Sequence, residues 1–395
     1  MYPKIILKPG KEESLRRFHP WVFSGAIARV EGGTLEEGDK AQVYSSQGDF
    51  LGVGHAQVGS ISLRVLAFEP VSIDAGFYRR RIRQALELRR KMNLITPRNN
   101  TFRLIHGEGD SLPGLVVDIY GNTAVMQAHS PGMHLDRELI ASALMEECAG
   151  WVENVYYKSE NTLPFKAELD AQDGYLVGER GEERPVAVEN GLQFYPDWEE
   201  GQKTGFFIDQ RDNRALVERY AAQKRVLNMF CYTGGFSLYA LRAGAREVVS
   251  VDSSEKAVAL TRQNVALNFG KRAPHQAVAC DAFDYLREHG KDFDLMILDP
   301  PAFAKHRNVL HQALQGYRKL NAIAFKNIAP GGILFTFSCS QAVSRQDFRL
   351  AVFSAAAQSG RNVRILHQLS QPADHPVNLY HPEGEYLKGL VLYVE

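Results

Sequence analysis

The sequence predicts a doubly wound, mostly parallel α/β sheet of seven strands over residues 191–395. A small β-barrel-like module over 1–74 and an α+β linking domain over 75–190 precede it. Three observations carry this. From about residue 191, short apolar runs at 226–230, 246–251, 275–280, 293–298 and 333–338 alternate with helical patterns near 236–243, 254–268, 283–289, 310–328 and 345–358. That alternation is the signature of stacked βα units. Two further runs, VRILHQL and YLKGLVLYVE, have no helix between them and are expected to pair as an antiparallel hairpin at the sheet edge. At the other end of the chain, KIILK, HPWVFSGAI, KAQVYSSQGDFLGVGHAQ and ISLRVLAF are separated by Gly32-Gly33, Gly38-Asp39 and Gly48-Asp49, which reads as short strands with turn chemistry between them.

Between these regions, residues 75–94 read as an Arg-rich amphipathic helix with Ile82, Ala85, Leu86 and Leu88 on or near one face. The stretch FRLIHGEGDSLPGLVVDIYGNTAVMQAH follows, with a Pro-Gly turn and a hairpin at Gly121-Asn122. Glu108, Asp110 and Asp118 are read there as turn carboxylates rather than metal ligands. A helix over 133–148 and the strand VENVYYKSE come next. The acidic, Gly-punctuated stretch 168–184 reads as a hairpin loop.

Of the 395 residues, 45% are hydrophobic and 23% charged, ordinary values for a globular chain of two or three domains. No run of 18 apolar residues is present, so no membrane partner is expected. The N-terminus lacks the apolar core of a signal peptide. The cysteines (Cys148, Cys231, Cys280, Cys339) form no C-x-x-C pair, so neither a disulfide framework nor a metal site is expected. A cytoplasmic setting follows. The net charge is zero, yet residues 79–103 carry nine basic side chains against Glu87 alone, and residues 146–200 carry fourteen acids against four bases. Such blocks can give a basic face on a neutral molecule, or a solvated helix surface.

The chemistry centres on VLNMFCYTGGFSLYALRAGAREVVSVD, residues 226–252, a βαβ unit. Gly234 and Gly235 stand where the strand after Phe230 turns into a helix, so backbone can approach a ligand closely. Asp252 closes the second strand, at the distance where a carboxylate accepts hydrogen bonds from both ribose hydroxyls of a nucleoside cofactor. T-G-G-F, in place of G-x-G-x-x-G, leaves little room for a pyrophosphate and points to S-adenosylmethionine. Ligands in such sheets bind beyond the carboxyl ends of the strands. There stand Tyr232-Thr233-Gly234-Gly235-Phe236, Asp252-Ser253, Asp281-Ala282, Asp299-Pro300-Pro301 and Cys339-Ser340. Asp252 and Asp281 could alternatively be helix N-caps.

HPWVFSGAI with GDFLGVGHA resembles the PUA domain, an RNA-binding module. The whole run of LIHGEGDSLPGLVVD, GQKTGFFIDQRDNR, NMFCYTGGFS, SVDSS, LDPPAF, GYRKLN, GGILFTFSCS, ADHP and YHPEGEYLKG resembles the S-adenosylmethionine-dependent ribosomal large-subunit RNA cytosine-5 methyltransferases of the RlmI type. The resemblance implies a PUA domain, a linking domain and a catalytic domain. It places Thr204, Gln210, Phe230, the 232–236 loop, Asp252, Ser253, Asp281, Ala282 and Asp299 around the cofactor, with Cys339 as nucleophile beside Asp299. It also implies RNA, large-subunit ribosomal RNA in particular, as partner; a homodimer is compatible with the sequence.

Carbon 5 of a pyrimidine is too electron-poor to attack a sulfonium methyl until a thiolate adds at carbon 6. That chemistry needs a cysteine and an acid near the ring, which Cys339 and Asp299 would supply. Methylation of an exocyclic amine would favour N-P-P-[YF], whereas this chain has D-P-P-A-F. Other RNA cytosine methyltransferases carry a second Cys after Asp-Pro-Pro; Ala302 stands there in this chain, so the group that removes the carbon-5 proton is unassigned. Cys148 and Cys280 read as small buried hydrophobes, and Cys231 as packing under the cofactor. The alternatives are an RNA guanine or adenine N-methyltransferase, or an inactive RNA-binding scaffold.

Overall fold

The computed structural model describes residues 2–164, 169, 171–291, 293–304 and 307–395. The chain divides into two compact units. One comprises Met1–Gly191, Pro196–Ile208 and Ala373–Gly384; the other Leu192–Tyr195, Asp209–Pro372 and Glu385–Glu395.

The first unit begins with β1 (Lys4–Leu7), α1 (Glu13–Arg16), β2 (Trp21–Phe23), β3 (Ile27–Glu31), β4 (Lys40–Tyr44), β5 (Phe50–Ala56) and β6 (Ile61–Ala67). These strands form one six-stranded sheet in the order β2-β6-β5-β4-β1-β3. The β1–β4 pair is parallel and the other pairs are antiparallel. Alternation in these strands puts Ile5, Leu7, Val43, Leu63 and Val65 into a shared core.

The same unit continues with α2 (Ala75–Lys91), β7 (Thr101–His106), β8 (Leu115–Tyr120), β9 (Thr123–Ala128), α3 (Pro131–Leu135), α4 (Arg137–Glu147), β10 (Asn154–Tyr157), β11 (Gly174–Val177) and β12 (Ala187–Glu189). A second sheet has the order β11-β10-β9-β8-β7. The β8–β9 hairpin turns at Gly121, with φ +61°, as the Gly-Asn pair demands. Gly174–Val177 is a strand on the antiparallel edge of β10 rather than part of a hairpin loop; residues 168 and 170 of that expected loop lie outside the described residues. Asp74 caps α2 by accepting from the Phe77 amide. The helix buries Phe77, Tyr78, Ile82, Ala85, Leu86 and Arg89, whereas Leu88 faces solvent. Val53, Leu66 and Ala67 of the first sheet share one apolar cluster with Ile82, Phe102, Val117 and Met126. Residues 1–74 and 75–190 therefore pack as one body.

Part of the Arg-rich run is paired inside this unit. Arg89 is fully buried and grips both Asp110 oxygens at 2.5 and 2.8 Å. Arg103 holds Asp118 through two bonds of 2.8 Å. Arg79 and Arg83 pair with Glu147. Glu108 accepts from Trp21 Nε1 and Arg64. The three acids expected in turns are thus ion-pair partners of buried or half-buried arginines. Arg79, Arg83, Arg89 and Arg103, four of the nine basic side chains of the run, are paired with acids of the same unit, and the buried Arg89 and the nearly buried Arg103 have the partners that buried charge requires.

The second unit holds β13 (Leu192–Phe194), α5 (Arg211–Ala221), β14 (Arg225–Met229), α6 (Gly235–Arg242), β15 (Glu247–Asp252), α7 (Glu255–Phe269), β16 (His275–Ala279), α8 (Ala282–His289), β17 (Leu295–Leu298), α9 (Leu310–Asn327), β18 (Gly332–Ser338), α10 (Arg345–Ser359), β19 (Val363–Leu369) and β20 (Lys388–Val394). Seven strands form the sheet β16-β15-β14-β17-β18-β20-β19. Pairing is parallel up to β18, and β20 runs antiparallel to both β18 and β19. This is the doubly wound sheet with a terminal hairpin that the sequence predicts. The inner strands are buried on both faces, so they read as continuous apolar runs. The strand order reverses between β14 and β17, at the switch point where such sheets open a crevice.

Candidate active site

Register aligns the strand ends. Met229 pairs with Val251 and Leu298, Val251 with Val278, and Leu298 with Thr336. The residues that follow these strands therefore share one edge of the sheet.

The loop after β14 is held in an uncommon conformation. Phe230 and Tyr232 have φ of +59° and +48°, and Gly234 follows at +82°. Two bulky left-handed residues are strained and persist only where their surroundings over-determine them. Cys231 N donates to Val251 O at 2.9 Å, and Tyr232 N to Asp252 Oδ2 at 2.9 Å. Thr261 Oγ1 donates to Tyr232 O, and Asn264 Nδ2 to Thr233 O, both at 2.9 Å. A Cβ at Gly234 would stand 2.6 Å from Thr261 Cγ2, and one at Gly235 2.9 Å from Arg214 Cδ. Both glycines are thus required by close packing of α7 and α5 side chains against the loop, a reason distinct from ligand approach. Thr233 and Phe236 are buried, and Phe236 lies against Phe337 of β18 with ring centroids 5.6 Å apart.

Asp252 is half-buried. Its two oxygens accept from the Tyr232 and Ser254 amides, at 2.9 and 3.0 Å. It is not the cap of α7, since Ser254 takes that role. The two amides fix the carboxylate and leave it further acceptor capacity. Ser253 beside it is exposed. Asp281, in contrast, is the N-cap of α8, accepting from Asp284 N at 3.0 Å, with buried Ala282 next to it.

Asp299 accepts from Gln210 Nε2 at 3.0 Å, and Gln210 is itself oriented by Asn213 at 2.7 Å. Burial, reinforced by the Asp209 carboxylate, pushes the Asp299 carboxyl up to about 7; Gln210 and Arg214 only partly oppose this. Tyr386 donates to Asp209 at 2.8 Å. Thr204 belongs to the other unit, where its hydroxyl donates to Asp118 at 2.6 Å and lies 3.0 Å from the Tyr120 hydroxyl.

Cys339 is half-buried, with Sγ 3.9 Å from Pro300 O of the Asp-Pro-Pro segment. The residues on either side are clamped. The buried Tyr317 hydroxyl receives a bond from Ser338 at 2.9 Å and lies 3.1 Å from Ser340 Oγ. Lys388, buried on β20, donates to Ser340 O and Val343 O at 2.5 and 2.6 Å. Burial pulls its ammonium down to about 8, an effect the Cys339 sulfur partly offsets. The other thiols are unsuited to reaction. Burial pushes Cys148 up to about 12 and, with Asp252, drives Cys231 well above the ordinary thiol range. Burial and the Asp281 and Asp284 carboxylates raise Cys280. Lys388, Asp209 and Tyr386 escape sequence reasoning as site residues, and Tyr317 is reached only through the resemblance of GYRKLN, which assigns it no role. A lysine in the middle of an apolar β-run, as in YLKGLVLYV, is the one available signal among them.

Comparison with known proteins bears on this geometry. Residues 159–383 match the S-adenosylmethionine-dependent methyltransferase family, and residues 5–68 match the PUA-like domain. Ribosomal RNA large subunit methyltransferase I of Aeromonas salmonicida is 43% identical over 98% of both chains. The protein of the same name from Klebsiella pneumoniae is 39% identical over 100% of this chain and 99% of its own. A proposed SAM-dependent methyltransferase from Streptococcus mutans superposes with a TM-score of 0.84 over 100% of both chains at 23% identity. A second solved structure, a proposed methyltransferase complexed with SAH, gives 0.85 at 24% identity over 100% of both chains. At that identity these two structures speak for the fold alone.

Proposed function

The chain belongs to the S-adenosylmethionine-dependent methyltransferases named ribosomal RNA large subunit methyltransferase I, and from that premise we propose that it methylates carbon 5 of a cytosine in large-subunit ribosomal RNA through a covalent Cys339 adduct. The coarser statement is secure: it is an S-adenosylmethionine-dependent RNA methyltransferase. Within that, the observation carrying the proposal is the pairing of Cys339 with Asp-Pro-Pro, the sulfur lying 3.9 Å from Pro300 O.

The residues present fit the cofactor. Asp252, fixed by two amides, keeps acceptor capacity for ribose hydroxyls, and the loop offers no glycine-rich cradle for a pyrophosphate. In this proposal Asp252, the 230–236 loop, Ser253, Asp281 and Ala282 hold the nucleoside, with Gln210 and Asp299 nearby. Thr204 is left out, since Asp118 and Tyr120 already engage its hydroxyl. S-adenosylmethionine supplies an electrophilic methyl on its sulfonium sulfur.

The protein's part is to make carbon 5 nucleophilic. The Cys339 thiolate adds to carbon 6, forming an S–C bond and placing electron density on the ring. Asp299, with its carboxyl near 7, is protonated in a substantial fraction of molecules at neutral pH and can donate to the ring as that charge develops. Transfer of the methyl to carbon 5 would break the sulfonium carbon–sulfur bond and leave the thioether; loss of the carbon-5 proton to a base, return to Asp299 of the proton it lent the ring, and departure of the thiolate then restore the aromatic ring. The target base must be unstacked to reach such a site. Tyr317 and Lys388 act as positioning residues by fixing the chain on both sides of the thiol. In this reading 1–74 binds RNA, 75–190 links, and 191–395 carries catalysis apart from Pro196–Ile208 and Ala373–Gly384, which fold with the first unit.

The test uses ribosomal RNA carrying 5-fluorocytosine, whose fluorine cannot leave as the proton does. Wild type should form an adduct stable to denaturing electrophoresis. Cys339→Ala should neither form it nor transfer methyl, yet should keep cofactor affinity, and Cys231→Ala should still form it. An adduct persisting in Cys339→Ala would overturn the mechanism.

A further inference from the structure

Two sequence motifs that the methylation chemistry does not use, HPWVF at 19–23 and YHPEG at 380–384, converge within the first unit. They bring His19, His381 and Glu383 together so that one ligand atom from each lies within 4.8 Å of the others. Glu383 faces both imidazoles, with Oε1 3.8 Å from His19 Nε2 and Oε2 3.7 Å from His381 Nε2.

His381 is the informative member. It is only 2% exposed, and neither ring nitrogen has a hydrogen-bond partner among the described residues. An imidazole buried with both nitrogens unsatisfied carries the full desolvation penalty of its polar groups. The Glu383 contacts at 3.7 and 3.8 Å are too long for hydrogen bonds. They are close to the ~3.4 Å that separates ligand atoms in a tetrahedral site with metal–ligand bonds of about 2.0–2.2 Å. The three ligand atoms lie within 4.8 Å of one another, so the widest pair would draw in by up to about 1.4 Å to hold one ion, a movement the half-exposed Glu383 turn can supply.

The surroundings are built to hold these side chains. The His381 ring packs edge-on to Trp21, with centroids 4.3 Å apart. Trp21 is pinned by its Nε1 bond to Glu108 at 2.9 Å and by the Arg64 guanidinium over its ring. Glu383 sits on a one-turn 3-10 segment, Pro382–Gly384, closed by Gly384 N to His381 O, and its side chain is 46% exposed, which leaves an entry path from solvent. One local bond must change on loading. Trp21 N now donates to His19 Nδ1 at 3.3 Å, and coordination through Nε2 places the proton on Nδ1 instead.

We propose that His19, His381 and Glu383 form a binding site for a divalent transition-metal ion of the zinc class, which clips the 380–384 turn onto β2. Two imidazoles and one carboxylate suit Zn(II) and its neighbours and do not suit Mg(II) or Ca(II). Three protein ligands leave a fourth position for water. The inference does not depend on which atom of RNA is methylated.

The experiment uses full-length, tag-free protein stripped with chelator and then titrated with ZnCl2 against a chromophoric chelator. One Zn(II) per chain is expected. At a hundredfold excess over Kd, the melting midpoint should rise by about 5 °C or more. Tryptophan fluorescence, to which Trp21 contributes, should change in step, and Co(II) should give a visible d–d band. His381→Phe, which keeps a ring against Trp21, should abolish all four signals. Glu383→Gln, on an exposed turn where folding is not at stake, should weaken binding and shift the Co(II) band. Absence of stoichiometric binding to wild type, or undiminished binding in both variants, would refute the site.

Discussion

Replacing Asp299 with Asn tests the electrostatics of the site without touching its shape. The folded chain keeps this carboxyl protonated up to about pH 7, whereas the unfolded chain releases the proton near 3.8. Between those values the folded state binds the extra proton, so its stability falls as pH rises from about 4 to 7 and stays reduced above. The interval corresponds to about 4 kcal/mol as an upper limit, at about 1.4 kcal/mol per pH unit. Solvent reaching the half-buried carboxylate should reduce this to about 2 kcal/mol. Asn keeps an oxygen to accept from Gln210, so the variant removes the charge and little else. Near pH 4 the two proteins should melt together. At pH 8 the variant should melt about 4–8 °C higher in the transition of the second unit. Scanning calorimetry of both proteins from pH 4 to 8 measures the difference, in which all other titrating groups cancel. Methyl transfer should fall by about 10²–10⁴-fold if Asp299 is the acid. A pH-independent offset, or a wild type more stable than the variant at pH 8, would refute the raised pKa and with it the acid role.

Asp252→Ala should weaken S-adenosylmethionine binding by about 1.5–3 kcal/mol, the range for hydrogen bonds to a charged acceptor. Because it also orphans the Tyr232 and Ser254 amides, the melting midpoint should drop as well; calorimetric titration showing unchanged affinity would remove Asp252 from the cofactor site. Arg89→Met should destabilise the first unit by about 3–5 kcal/mol, since it strands the buried Asp110 carboxylate. Denaturant unfolding should then show part of that loss recovered in Arg89→Met/Asp110→Leu, and a loss below about 1 kcal/mol in the single variant would contradict the buried pair.

The catalytic sheet was legible because its physics is local. Strands buried on both faces must be apolar along their whole length, and the helices between them repeat every few residues. Five helices and seven strands fall within about two residues of where periodicity puts them, the usual spread of boundary assignment. The Arg-rich run was not legible in the same way. Its neutralising acids stand 15, 21 and 64 residues away, at Asp118, Asp110 and Glu147, and charge counting cannot see partners that only folding brings together. The same limit hid Lys388 behind Cys339 and His381 beside His19. Gly234 and Gly235 were visible as a turn, but their demand for space comes from Thr261 and Arg214 on other elements.

The first unit is not finished by the first half of the chain. Arg89 Nη2 donates to Asp374 O, and Asp374 Oδ2 accepts from Arg103 N, contacts spanning 285 and 271 residues. During synthesis at about 5–20 residues per second, the Arg89 region waits roughly 15–60 s for that partner to leave the ribosome. Throughout that interval the nascent N-terminal body lacks the Ala373–Gly384 segment, while most of the catalytic sheet emerges behind it. A chaperone able to hold the incomplete body would find its substrate in this window. A premature stop before residue 373 would leave both units unfinished, because β20 is also missing.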